Sequence, residues 1–198
     1  MIRAVVFDLG DVVCRFRHQR RLRALARLTG LRERMIDEAI WSSGLEARAE
    51  AGELSPDATV DALLDALDHR TTPDALRAAW ATAFEPDAAV CNIVATLTAP
   101  AVLFTNNGPM VTECLRHELA PVAARFERII CSWQLAAVKP APAAFRGARD
   151  TVGVRAPELL LIDDNEANTA AAREVGFDTI TFVGATDLQQ RLETRGLL

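Results

Sequence analysis

Two apolar runs that read as buried strands stand far apart in this chain, and the sequence between them is almost wholly helical. The first, "IRAVVF" at residues 2–7, is β-branched and ends on Asp8; the second, "APAVLF", spans 99–104. Continuous apolar runs of this length suit strands buried on both faces. After the second run the pattern changes. "FERIIC" (126–131), "PELLLI" (157–162) and "FDTITFV" (177–183) read as further strands, separated by helical segments. "GPMVTECLRHEL" has Pro109 in its first turn, while "APAAFRGARDTV" and "NEANTAAAREV" end at Gly153 and Gly176. Proline just inside a helix start and glycine just past its end are stop and start signals with a steric cause. Strand–helix alternation closes through right-handed crossovers into a parallel sheet, so the fold class is α/β with an all-helical insertion after the first strand.

No strand pattern is convincing between residues 16 and 85. "SPDATVDALLDAL" opens with Ser55 as N-cap and Pro56 behind it, and Val60, Leu63, Leu64 and Leu67 fall on one face. "TPDALRAAWATAF" repeats the device with Thr72 and Pro73, followed by Leu76, Trp80 and Phe84. "MIDEAIWSS" also reads as helix. The segment after Pro86, with Val90, Ile93, Val94 and Leu97, reads as the helix returning to the sheet. The basic stretch from Arg15 to Arg23 fits the solvated face of an amphipathic helix, since Leu22, Leu25 and Leu28 recur every three residues. Its other reading is a basic wall that attracts an anionic substrate.

The 198-residue chain has a net charge of −5, which argues against nucleic acid as its main partner. No apolar run reaches the ~20 residues of a membrane span, and "MIRAVVFDLG" turns acidic too early for a signal peptide. The four cysteines are scattered without a CxxC pair, as in a reducing compartment. A soluble, cytoplasmic protein is expected, monomeric or homodimeric, with neither nucleic acid nor membrane as partner.

In open parallel sheets ligands gather beyond the carboxyl ends of the strands. Here those ends read Asp8, then Thr105-Asn106-Asn107, then the loop through Lys139, then Asp163-Asp164-Asn165. Adjacent acids at a buried strand's end repel unless a cation sits with them. Carboxylates from two strand ends can share one divalent ion, and hard oxygen donors favour Mg²⁺. Four of the five asparagines (Asn106, Asn107, Asn165, Asn168) fall in these loops. Each can be a turn or cap residue or can touch ligand. Lys139 is the only lysine among 22 basic residues.

With these residues in view, the chain resembles the haloacid dehalogenase superfamily, in particular its helical-cap, phosphatase-like members of the "FDLG" type. "VVFDLGDVV", "LFTNN", "VKPAPAAF" and "LLLIDDNEAN" look like its four motifs in order, and "AGELSPD" is similar to a cap turn of close members. The resemblance implies a Rossmann-like catalytic core over residues 1–14 and 97–198 and a helical cap over 15–96. It implies Asp8 as nucleophile, forming an aspartyl-phosphate, with its pKa lowered by Mg²⁺ and a nearby ammonium. It implies Mg²⁺ held by Asp8, the Gly10 carbonyl and Asp164, with Asp163 as further ligand or neighbour. Thr105 and the Asn106 amide would bind phosphoryl oxygens, and Lys139 would neutralise charge. A compact ammonium suits so crowded a pocket better than a planar guanidinium. The implied substrate is a small phosphorylated metabolite, such as a sugar phosphate with a good leaving group.

One position departs from the family pattern. Phosphatases of this type usually carry a second Asp two residues after the nucleophile, and Gly10 stands there. Asp11 comes one residue late and would face away if strand alternation continued, whereas a tight turn at Gly10 would break that alternation and leave Asp11 a candidate for the missing acid. Losing a general acid costs about 10²–10⁴ in rate, most for poor leaving groups. A metal-free 2-haloacid dehalogenase and a catalytically weak binding protein on the same fold are the alternative readings. Arg17, Arg20 and Trp41 are the expected specificity residues of the cap.

Overall fold

The computed structural model describes residues 1–198. Strand β1 (Ala4–Phe7) is buried along its whole length. A tight turn leads into β2 (Cys14–Phe16) and helix α1 (His18–Thr29), which Gly30 closes in the left-handed conformation. Helix α2 (Glu33–Asp37) runs into a π-helical turn at Glu38–Ser42, and α3 (Leu45–Glu50) follows. Helices α4 (Pro56–Ala66) and α5 (Pro73–Ala81) begin as the sequence predicts. The Ser55 and Thr72 side chains accept the backbone N–H of Ala58 and Ala75, and a proline holds each first turn. Strand β3 (Phe84–Pro86) pairs antiparallel with β2, so the helical insertion is bracketed by a short two-stranded ribbon. Three-residue strands are too short to leave a periodic trace, and this ribbon is absent from the sequence reading.

Helix α6 (Ala88–Thr96) is capped by Asp87 and leads to β4 (Ala101–Thr105). Then come α7 (Pro109–Arg116), α8 (Ala120–Ala123), β5 (Arg128–Cys131), α9 (Ser132–Leu135) and α10 (Pro142–Val152). Strand β6 (Leu159–Asp163), α11 (Glu166–Glu174), β7 (Asp178–Thr181) and α12 (Ala185–Thr194) complete the chain. The large sheet is five-stranded and parallel, in the order β5–β4–β1–β6–β7. All five of its strands were legible as apolar runs.

Alternation divides the sheet's side chains between two cores. Val5, Phe7, Leu103, Leu160 and Ile162 face one, and Ala4, Val6, Val102, Phe104, Leu159 and Leu161 the other. The first is continuous with the insertion through Leu25, Ile36, Ile40, Leu63, Leu67, Leu76 and Trp80. The helices over the site therefore share apolar burial with the sheet. Gly52, at φ +75°, fixes the approach at one point. A Cβ there would lie 2.4 Å from the Trp133 carbonyl oxygen, a distance only glycine permits.

The basic stretch divides. Arg15, Arg17, Arg20 and Arg23 are exposed, as expected of a solvated face. Arg21 is only 1% exposed. Its guanidinium lies 4.3 Å from the Trp80 ring centroid and within 6 Å of Phe16, Trp41 and Phe84. It donates to the Trp80 carbonyl at 3.1 Å and to Glu46 at 3.3 Å. The four cysteines are buried and unpaired, and no helix is long and apolar enough to cross a membrane.

Candidate active site

The sheet register brings the predicted residues together. Phe7 pairs with Leu103 on one side and Ile162 on the other. Asp8 therefore emerges level with Phe104 and Asp163, one residue before Thr105 ends its strand. The Asp8 N–H donates to the Ile162 carbonyl at 2.9 Å, and its Oδ1 accepts the Leu9 N–H at 2.8 Å. Lys139 enters from the loop after α9. Its Nζ lies 3.1 Å from Asp8 Oδ1, 2.6 Å from Asp163 Oδ2 and 3.1 Å from the Phe104 carbonyl oxygen. Three acceptors around one nitrogen fit a point charge, as the lone lysine suggested.

The asparagines hold this group in place. Asn106 brackets the Lys139 backbone, accepting its N–H and donating to its carbonyl, both at 2.8 Å. Asn107 donates to Thr105 Oγ1 at 2.7 Å and orients that hydroxyl. Asn165 caps α11 by accepting the Ala167 N–H, while its own N–H reaches Asp163 at 3.0 Å. Asn168 donates to both Asp163 oxygens, at 2.9 and 3.1 Å. Cap and site functions coincide at Asn165, which is why composition alone could not separate them.

Charge in this pocket is unbalanced. Burial pushes Asp8 up to about 6, and Asp163 adds to that push; the ammonium of Lys139 only partly opposes it. The expectation that a nearby ammonium keeps Asp8 low therefore fails for the ammonium alone, because desolvation outweighs it. Burial alone would lower Lys139, but Asp8 and Asp163 outweigh it and hold the ammonium above its usual range. Burial and Asp163 raise Asp164 as well. Ligand oxygens of Asp8, Asp163 and Asp164 lie within 4.8 Å of one another, and the buried Asn168 Oδ1 has no hydrogen-bond partner. One ammonium among three carboxylates, with an orphaned oxygen beside them, is a donor set that fits a hard divalent cation.

Asp8, Thr105, Lys139, Asp164 and the four asparagines line one cleft of about 460 Å³ together with side chains from the insertion, with Asp163 buried behind them. Gly10 and Asp11 lie in it. Asp11 has φ +53°, so the turn breaks strand alternation and Asp11 shares the cleft with Asp8 rather than facing away. Its Oδ1 accepts the Phe16 N–H at 2.9 Å. From the insertion come Phe16, His18, Trp41, Glu46, Glu50 and Phe84. Trp41 was expected here. Arg17 and Arg20 are not among the lining residues; Arg17 is exposed at the start of α1, and Arg20 pairs at the surface with Glu85 at 2.9 Å. Glu46 and Glu50 went unread. Their only signal is four-residue spacing just before the "AGELS" turn.

The model of the haloacid dehalogenase-like hydrolases matches residues 2–176. The chain belongs to that family. Among curated members it is 27% identical to D-ribitol-5-phosphate phosphatase of Bacteroides thetaiotaomicron, over 97% of each chain. A family enzyme from the same organism, solved with magnesium and inorganic phosphate, superposes with a TM-score of 0.77 at 21% identity, covering 91% of this chain and 94% of that one. The L-2-haloacid dehalogenase of Xanthobacter autotrophicus gives 0.63 at 20% identity, covering 99% and 83%. At these identities the structural likenesses speak to fold.

Glu50 offers a test of the cleft's electrostatics that needs no substrate. Burial and the neighbouring Glu46 push its carboxyl up to about 8, against the pull of Arg21. Between the usual carboxylate value and about 8 the folded chain keeps a proton that the unfolded chain has lost, so stability falls as pH rises across that window. Glu50→Gln keeps the neutral shape. Its Tm is expected to match the parent near about pH 4.5 and to exceed it by a few degrees near about pH 8.5. Parallel curves across the window would show that Glu50 titrates normally.

Proposed function

We propose that this chain is a Mg²⁺-dependent phosphomonoester hydrolase acting on a small sugar or polyol phosphate through an aspartyl-phosphate on Asp8. The observation that carries this reading is the buried Lys139 ammonium bridging Asp8 and Asp163, with Asp164 beside them. A dehalogenase-type site needs only nucleophile and lysine, so the third carboxylate favours the metal-dependent route. The ribitol-phosphate specificity of the curated relative supports the substrate class.

On this reading Asp8 attacks phosphorus, and the bond to the leaving-group oxygen breaks as the acyl phosphate forms. Water then attacks the phosphorus and frees the carboxylate. The Leu9 N–H and Lys139 fix the Asp8 carboxylate through Oδ1. Thr105, its hydroxyl oriented by Asn107, and the Asn106 amide receive the phosphoryl oxygens. Lys139 offsets the charge that builds on them. Asp8, the Gly10 carbonyl and Asp164 would hold Mg²⁺. Asp163, already engaged by Lys139, Asn165 and Asn168, acts mainly by positioning them. When bound, the ion screens the carboxylates from the incoming phosphate dianion. Residues 1–14 and 97–198 form the catalytic core and 15–96 the cap, in a cytoplasmic monomer or homodimer whose buried thiols suit a reducing compartment.

Phosphate release from a panel of phosphorylated metabolites, with Mg²⁺ and after chelation, is the direct check. Activity is expected to require the metal and to vanish in Asp8→Asn. Metal-independent halide release from 2-haloacids would favour the dehalogenase instead, and silence on every substrate a binding role.

Gly10 makes a second prediction. A Cβ there would meet nothing nearer than Phe16 Cβ at 3.8 Å, and Gly10 is not in the left-handed region, so an aspartate side chain fits. Gly10→Asp is expected to raise turnover of primary-alcohol phosphates by about 10-fold or more relative to acyl phosphates, which need no proton donor. An unchanged ratio would mean that another group, with Asp11 the nearest in sequence, already supplies the proton.

A further inference from the structure

Resting on the phosphatase reading, we infer that Glu50, flanked by Glu46 and Trp41, selects the leaving group. It admits a neutral, hydroxyl-bearing one and refuses substrates that carry a second anionic group. The cleft has two unlike ends. Lys139 and Thr105 mark the phosphoryl end, whereas the cap end is formed by Phe16, His18, Trp41, Glu46, Glu50 and Phe84. No free cation is available there. Arg21 lies behind the wall, enclosed by aromatic rings and bonded to Glu46 and the Trp80 carbonyl. His18 turns its Nε2 to Asp37 at 3.2 Å and stands edge-on to Trp41. A carboxylate or second phosphate on the leaving group would lose its hydration there and find no free cation to replace it.

Hydroxyl groups would find partners instead. The Glu50 side chain makes no hydrogen bond within the protein. Its backbone carbonyl accepts Ser132 Oγ at 2.8 Å, and that same oxygen accepts the Asn107 N–H at 3.1 Å. Glu50 is thus tied to the loop that carries Thr105 and Asn107, at the seam where leaving group and phosphoryl group meet. Kept protonated by burial and Glu46, its carboxyl both donates and accepts near neutral pH and does not repel the phosphate dianion. Glu46, engaged by Arg21 through Oε1, leaves its second oxygen free to accept. Trp41 adds an aromatic surface for carbon-bound hydrogens.

The test compares kcat/KM for four substrates: an alditol monophosphate, its carboxylated analogue, a sugar bisphosphate, and acetyl phosphate, which has no hydroxyl to read. The parent chain is expected to prefer the alditol ester over both doubly anionic esters by about 100-fold. Glu50→Leu should lower the ratio of alditol ester to acetyl phosphate by at least about 10-fold, mainly through KM, and Glu50→Gln should restore most of it. Glu50→Lys should shift preference toward the carboxylated ester. If Glu50→Leu lowers both activities alike, its role is structural and the inference falls. It falls equally if the parent cleaves acetyl phosphate yet treats the three esters alike, a result that leaves the proposed activity standing. Failure on acetyl phosphate itself removes the phosphatase reading.

Discussion

The Lys139 ammonium, buried between Asp8, Asp163 and the Phe104 carbonyl, is the contact on which the rest of the site depends. A lone charge so buried would carry a large desolvation penalty, and removing one partner of a buried pair typically costs about 3–5 kcal/mol. The surrounding structure satisfies each partner. Asn106 fixes the lysine backbone from β4, Asn168 and the Asn165 N–H hold Asp163 from α11, and the register of three adjacent strands sets the spacing. Parallel strands make this possible, because their carboxyl ends converge on one edge. The same network leaves Asp164 exposed and Asp8 raised, which is the electrostatic demand for a further cation.

The insertion answers to a second buried cation. Arg21 is packed in an aromatic box and paired with Glu46, so one helix of the basic stretch turns a charge inward and orders the wall of the cleft. That wall is joined to the sheet by continuous apolar packing and by the close approach at Gly52. The two ends of the proposed site therefore share one packed frame. The contact from the Glu50 carbonyl to Ser132 links them most directly.

Much of this was legible because the governing patterns are local. Apolar runs gave the five parallel strands, N-cap residues before prolines gave α4 and α5, polar residues at strand ends gave Asp8, Thr105, Asp163 and Asp164, and Lys139 stood out as the lone lysine in a loop that resembles a family motif. What escaped was set by tertiary contact. The β2–β3 ribbon is too short to show a period. Arg21 looks like its exposed neighbours until Trp80 and Phe84, some sixty residues later, close over it. Glu46 and Glu50 sit on a six-residue helix with no motif, and only the folded chain turns them toward the cleft. The placement of Asp11 turned on whether alternation stops at Gly10, which the sequence left open and the φ of +53° at Asp11 decides.

The central claim is that the phosphoryl group passes through Asp8 on its way to water. The stereochemical course at a chirally labelled phosphorus tests this most directly. Two in-line displacements, one by Asp8 and one by water, predict net retention of configuration. Inversion would mean that water attacks the substrate directly and would contradict the account.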